Sequence, residues 1–145
     1  MNLPDPAINI GPSADLNEWN SWFVGVPYWL WSDVPTSGRV VETEQGITIT
    51  LEHGAPELEW DMGDGTVLQC GVGTPWVTPP VGELPESPTC GHRYEVPGSY
   101  AVSVTATWTV HWTGLGFSGS FPVSRSSTSD PMEVGELHSL LVEPK

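Results

Sequence analysis

Positive charge is almost absent from this chain. Arg39, Arg93, Arg125 and Lys145 are its four basic residues, set against eighteen acidic ones for a formal net charge of −14. Nucleic-acid phosphates and anionic lipid headgroups need a basic footprint, so such a surface repels both. Nucleotide binding is disfavoured too, since no G-x-x-x-x-G-K-[ST] loop occurs and the single lysine is the last residue. The acidic balance fits solubility, a cationic partner or bound cations. Cysteine is nearly as scarce: Cys70 and Cys90 stand alone, flanking a Pro-rich stretch from Gly71 to Thr89. No second C-x-x-C pair is present to complete a zinc site. A Cys70–Cys90 disulfide is expected, with two buried free thiols as the alternative, and the disulfide would imply an oxidising compartment. Long apolar runs are missing as well. Met1-Asn2-Leu3-Pro4 has neither the basic start nor the apolar run of roughly 7–15 residues of a secretory signal, and no stretch nears the ~18 apolar residues of a membrane span. An exported form is expected to have carried its signal or anchor ahead of Met1.

What the chain does have is tryptophan, glycine and alternation. Its 145 residues suit one domain with a core of its own. Sixteen Gly and fifteen Pro fall short of a low-complexity composition, and eight Trp argue for a packed fold. Residues 1–18 are rich in Pro, Asn and Asp and read as an extended or flexible amino-terminal arm. An aromatic cluster follows (Trp19, Trp22, Phe23, Tyr28, Trp29, Trp31), interrupted by Pro27, which argues against a long helix. Arg39 to Thr43 and Gly46 to Glu52 read as strands joined tightly at Glu44-Gln45, with Ile47, Ile49 and Leu51 on one face of the second. Leu58, Trp60 and Met62 continue the alternation up to Gly63-Asp64-Gly65, and Thr66 to Cys70 restarts a strand beyond that turn. The longest run is Ser99 to Thr113. Tyr100, Val102, Val104, Ala106, Trp108, Val110 and Trp112 share one face of it, opposite a face of Thr, Ser, Ala and His. A run of this length should bend, bulge or project as a ribbon, because strands usually have about 5–6 residues. Gly114, Gly116 and Gly119 mark its return, Phe117, Phe121 and Val123 pair back, and Met132 to Val142 supplies a last strand. Without helical periodicity or internal repeats, the pattern predicts an all-β antiparallel sandwich.

Two segments of this pattern carry a family resemblance. Glu59-Trp60-Asp61-Met62-Gly63-Asp64-Gly65, answered by Tyr94-Glu95-Val96-Pro97-Gly98-Ser99-Tyr100-Ala101-Val102-Ser103-Val104, resembles the paired signature of the polycystic kidney disease (PKD) domain, W-D-F-G-D-G followed by Y-x-x-P-G-x-Y-x-V. Trp29-Leu30-Trp31, Cys70, Gly73-Thr74-Pro75, Cys90-Gly91-His92-Arg93-Tyr94 and Thr107 to Thr113 are similar to a group of secreted or surface-associated actinobacterial PKD-domain proteins. In that group two cysteines bracket a G-P-G-T-P loop and a T-x-T-W-x-V-x-W strand follows. Val72 stands where the group has Pro, and His92-Arg93-Tyr94 replaces H-T-Y; neither departure touches the turns. The resemblance spans roughly residues 29 to 142. It implies an immunoglobulin-like, PKD-type antiparallel β-sandwich of about seven to nine strands with a long β-ribbon hairpin, formed by residues 19–145. It also implies a non-catalytic extracellular module of the cell surface that binds protein, or sometimes polysaccharide, or supports an assembly.

Candidate chemistry is sparse. Asp61 and Asp64 would either accept hydrogen bonds from turn amides while Gly63 and Gly65 take positive φ, or ligate calcium; a full EF-type loop is absent. Otherwise no cofactor or metal is expected. His53, His92, His111 and His138 show no H-x-x-x-H spacing, and no G-x-S-x-G elbow activates a serine, so an enzyme is not expected. Trp60, Trp108 and Trp112 lie on apolar faces and read as core. Trp19, Trp22 and Trp76 sit in irregular segments. They would cap the ends of the sandwich, anchor a protein partner or stack on sugar rings. The expected function is a protein-binding or structural surface module. The alternatives are a carbohydrate-binding module using these tryptophans and a calcium-stiffened spacer. Nucleic acid, nucleotide and membrane insertion are not expected.

Overall fold

The alternation through Ser99–Thr113 does not form one strand. In the computed structural model, which describes residues 1–136, it breaks after Tyr100 and its two parts enter different sheets. The strands are β1 Asn9–Gly11, β2 Trp22–Phe23, β3 Tyr28–Trp31, β4 Gly38–Glu44, β5 Ile47–His53, β6 Glu57–Asp61, β7 Val67–Cys70, β8 Gly91–His92, β9 Gly98–Tyr100, β10 Ser103–Gly114, β11 Phe117–Thr128 and β12 Met132–Gly135. A single 3-10 turn, Ala14–Leu16, is the only helical element among the described residues. The twelve strands exceed the seven to nine expected because Gly and Pro cut several connections into pieces of two to four residues. The expected last strand is present as Met132–Gly135; its continuation to Val142, like His138, lies outside the described residues.

The largest sheet is organised around β10. On one side β10 pairs along its whole length with β11, from Ser103 opposite Thr128 to Gly114 opposite Phe117. Its other side is shared end to end: β6 pairs with Ser103–Thr107 and β5 with Val110–Gly114. β4 extends the sheet beyond β5, and β7 extends it beyond β6. Two small sheets complete the fold, β1-β3-β8 and β2-β12-β9. Every pairing is antiparallel except β2 with β12. Both tight hairpins in the large sheet use two central residues at positive φ, Gln45-Gly46 (52° and 78°) and Leu115-Gly116 (54° and 79°), whose twist matches that of the flanking strands. The first turn is therefore one residue later than the expected Glu44-Gln45.

The core lies between one face of this sheet and the small sheets. Leu58, Trp60, Val104, Ala106, Trp108 and Val110 are fully buried on the large sheet, and Tyr28, Leu30, Val34, Tyr94, Met132 and Val134 close over them. The amino-terminal segment, expected as an extended or flexible arm, is extended and is also built into this layer. Leu3 and Pro6 are buried, β1 pairs with β3, and the Arg125 guanidinium donates to the Leu3 carbonyl at 3.2 Å. Among the described residues no helix is long and apolar enough to cross a membrane.

Candidate functional site

The Gly63-Asp64-Gly65 turn is built from side-chain to backbone bonds. Asp61 Oδ1 accepts the Gly63 amide and Asp64 Oδ1 accepts the Thr66 amide, each at 3.0 Å. Gly63 has φ +80°, and a Cβ there would stand 2.6 Å from the Ala101 carbonyl oxygen, so a side chain is excluded by both conformation and space. The partner segment closes over the turn. Tyr94 Oη donates to the Met62 carbonyl at 2.8 Å, its ring stacks on Tyr100 at 4.6 Å, and Tyr100 Oη donates back to the Val96 carbonyl at 2.6 Å. His92 stands edge-on to Tyr94, with its Nε2 2.8 Å from Asp64 Oδ2. Burial would raise the Asp64 pKa, but the Thr66 amide and His92 outweigh it and hold the carboxyl below the ordinary carboxylate range. Burial, with Asp64 as the next cause, pushes the Tyr94 phenol far above its usual range.

The histidines are not gathered. His53 is buried in the core, donating Nδ1–H to the Gly54 carbonyl at 2.8 Å, whereas His111 is exposed on the opposite face of the sheet. Among the described residues no group of three or more His, Cys, Asp or Glu is placed to hold a metal ion. Cys70 and Cys90 form the disulfide, which ties the end of β7 to the residue before β8. The loop it closes is pinned at three further points. Thr74 Oγ1 meets Thr89 Oγ1 at 2.8 Å, Trp29 Nε1 donates to the Pro85 carbonyl at 2.9 Å, and Arg93 bonds Glu86 and the Gly25 carbonyl.

The three tryptophans expected in irregular segments occupy different settings. Trp19 is 40% exposed and stands edge-on to Phe23, while Trp22 is half-buried against Tyr28. Trp76 is half-buried over Gly11, where a Cβ would stand 2.5 Å from the Trp76 Cβ. Of the three, Trp22 alone lines a groove of about 910 Å³ between the amino-terminal segment and Ser127–Met132, with Trp31, Asn9 and Asp130 also in its walls.

Trp112 is a correction to the expected core. Trp60 and Trp108 are fully buried, but Trp112, on the same face of the same strand as Trp108, is only half-buried. The reason is coverage: the layer over this face, held where Trp108 Nε1 donates to the Pro35 carbonyl at 2.9 Å, ends after Val110, the last fully buried residue of the row. Beyond that point β4, β5, β10 and β11 project as a four-stranded wing with its apolar face bare. Paired residues share a face, and the register puts Leu51 opposite Trp112 and Trp112 opposite Gly119, with Ile49 and Phe117 flanking Gly114. Val40, Ile47 and Phe121 belong to the same face. Ile47 and Ile49 are each 40% exposed, Phe121 is 41% and Phe117 is 71%. The alternation of Ile47, Ile49 and Leu51 was legible in the sequence, but nothing in it marks whether that face is covered. No family model, no curated protein and no solved structure matches the chain.

Proposed function

We propose that the chain is a non-catalytic, PKD-like module of the extracellular surface that binds a protein partner through the bare apolar face of its wing. One observation carries this reading: the face of β10 that forms the core at one end continues uncovered at the other, with Trp112, Phe117 and Phe121 on it. Contiguous exposed apolar surface of this kind marks interaction sites, and aromatic residues dominate binding energy at such sites. Three features support the immunoglobulin-like, PKD-type part of the reading. Trp60 is fully buried on its strand, the Asp-Gly turn is locked by Tyr94, and the Tyr100 hydroxyl bonds back to the backbone four residues upstream, as a tyrosine corner does. The Cys70–Cys90 disulfide supports an oxidising, extracellular setting.

The test is a photo-crosslinking residue placed at Phe117, on the bare face, and at Thr105, on the opposite face, in protein presented to its own surface proteins. Adduct from position 117 with none from 105 is the expected result. Equal labelling from both positions, or none from either, would reject the wing as the binding surface. A second reading has its own observation. The groove walled by Trp22 and Trp31 combines indole rings with the amide of Asn9 and the carboxylate of Asp130, a combination suited to a sugar chain. Retardation of the protein by cell-wall polysaccharide in affinity gels, lost in Trp22→Ala, would favour it; unchanged migration would set it aside.

A further inference from the structure

We infer that the wing's partner is a protein segment that presents apolar residues flanked by lysine or arginine. This rests on the reading of the wing as the binding surface and adds the chemistry of what it binds.

The bare face is flattened at its middle, with Phe117 standing out at one end. Large residues lie sideways over glycines: a Cβ on Gly119 would stand 2.7 Å from Trp112 Nε1, and one on Gly114 would stand 3.1 Å from Ile49 Cγ1. Trp112 therefore covers Gly119 and Ile49 covers Gly114, which leaves a low apolar surface that a partner can lie across. One margin of that surface is acidic. Glu42 pairs with Ile49 and Glu44 with Ile47, so both carboxylates share the apolar face, and together with Leu51 these residues line a shallow groove of about 570 Å³. Among the described residues no basic side chain offsets them on that face. Arg39 lies on the opposite face, paired with Glu52 at 3.0 Å, and Arg125 is committed to the Leu3 and Ser124 carbonyls.

Charge selects among the possible occupants. A purely apolar partner would desolvate the two carboxylates without compensation, which is costly; a partner with cations at its rim would pair with them. A second copy of this chain would bring a net charge of −14 against −14, and an anionic membrane would be repelled for the same reason. The basic amphipathic segment is the occupant that satisfies both the apolar face and its margin.

The test uses three fluorescein-labelled peptides of one length, read by anisotropy against the full chain. The first alternates leucine and valine with lysine, the second replaces lysine with glutamate, and the third keeps lysine but replaces the apolar residues with serine. The first alone is expected to bind. Its affinity should fall about tenfold in the Glu42→Lys/Glu44→Lys double variant, whose exposed substitutions leave the core alone, and should weaken as salt rises from about 50 to about 200 mM. Ile49→Thr, which keeps the β-branched shape, should weaken it as well. Equal binding of the first and third peptides would reduce the interaction to charge alone and overturn the proposal. So would insensitivity to both variants, failure of the first peptide to bind, or sedimentation of the free chain as a dimer abolished by Ile49→Thr. Crosslinking from position 117 alongside failure of the first peptide would keep the wing as the binding surface while rejecting the basic partner.

Discussion

The two halves of β10 share a backbone and a pattern but not a fate. Along Val104, Ala106, Trp108 and Val110 the inward side chains are fully buried beneath Tyr28, Leu30, Val34 and Met132. Past Val110 the same face carries Trp112 and Gly114 into the wing, where both are only half-buried and Ile49 and Phe117 beside them are exposed. Period-two alternation therefore specifies which face of a strand is apolar; it does not specify whether a second layer exists to cover it. Coverage comes from the lengths and paths of other segments. Here the covering chain crosses Trp108 at Pro35 and then turns into β4 beside the wing instead of over it.

Truncating one tryptophan in each half separates the two halves most directly. Trp108→Ala empties a fully buried site and is expected to cost about 3–5 kcal/mol, as large aromatic deletions in closed cores do. Trp112→Ala removes a ring that is only half-buried and should cost about 1–2 kcal/mol, since less apolar area is removed from solvent contact on folding. Urea unfolding of both variants at one temperature measures the difference, with an unchanged m value required for the comparison. Equal losses would mean that the wing face is covered in solution.

Reduction of the Cys70–Cys90 bond sharpens the same contrast from the covered side. The bond closes a sequence separation of 20 residues, and releasing such a loop is expected to lower stability by ~3 kcal/mol in the chain-entropy model. The loosened chain lies around β7, β8 and the Pro-rich loop, so the amide chemical shifts of the β10–β11 hairpin should hold still while those of residues 70–92 move. Movement of both sets would show that the wing is not an independent extension of the sheet.

Much of this architecture was legible in the residues, and the part that was not has a physical reason. The Asp-Gly turn, the β4–β5 and β10–β11 hairpins and the pairing of two cysteines are local or depend on few candidates, so spacing and composition suffice. The break between Tyr100 and Ser103 was visible only as excess length. What splits the run is a change of partners, with Met132–Gly135 pairing on one side of the break and Glu57–Asp61 on the other, and partners distant in sequence leave no local mark. The tryptophans fail for a related reason. Trp108 and Trp112 occupy equivalent positions in the pattern, and only the path of residues 32–37 distinguishes them. The His92–Asp64 contact joins residues 28 apart in sequence, and no spacing motif announces it.

The smallest expected effect concerns that contact, and its sign follows from the direction of the shift. The Asp64 carboxyl is held below the ordinary range in the folded protein, chiefly because the Thr66 amide and His92 overcome the opposing effect of burial. In the unfolded chain it returns to an ordinary value near ~3.9. The folded state therefore binds fewer protons at this site, and the stabilisation is complete above that value and is lost as pH falls through the lower native one. Asp64→Asn keeps an oxygen for the Thr66 amide but removes the charge opposite His92. The variant should be the less stable of the two at pH 5–6, with the gap beginning to close near pH ~4, where the unfolded chain's carboxyl takes up protons, and vanishing as pH falls through the lower native value. The wing should be indifferent, because Asp64 and His92 lie at the covered end, beside Tyr94 and Tyr100. Chemical denaturation across that pH range, followed by near-ultraviolet circular dichroism, compares the two proteins. Curves that run parallel down to pH 2–3 would remove the Asp64–His92 pair from the acid response and leave the turn's backbone bonds as its whole contribution.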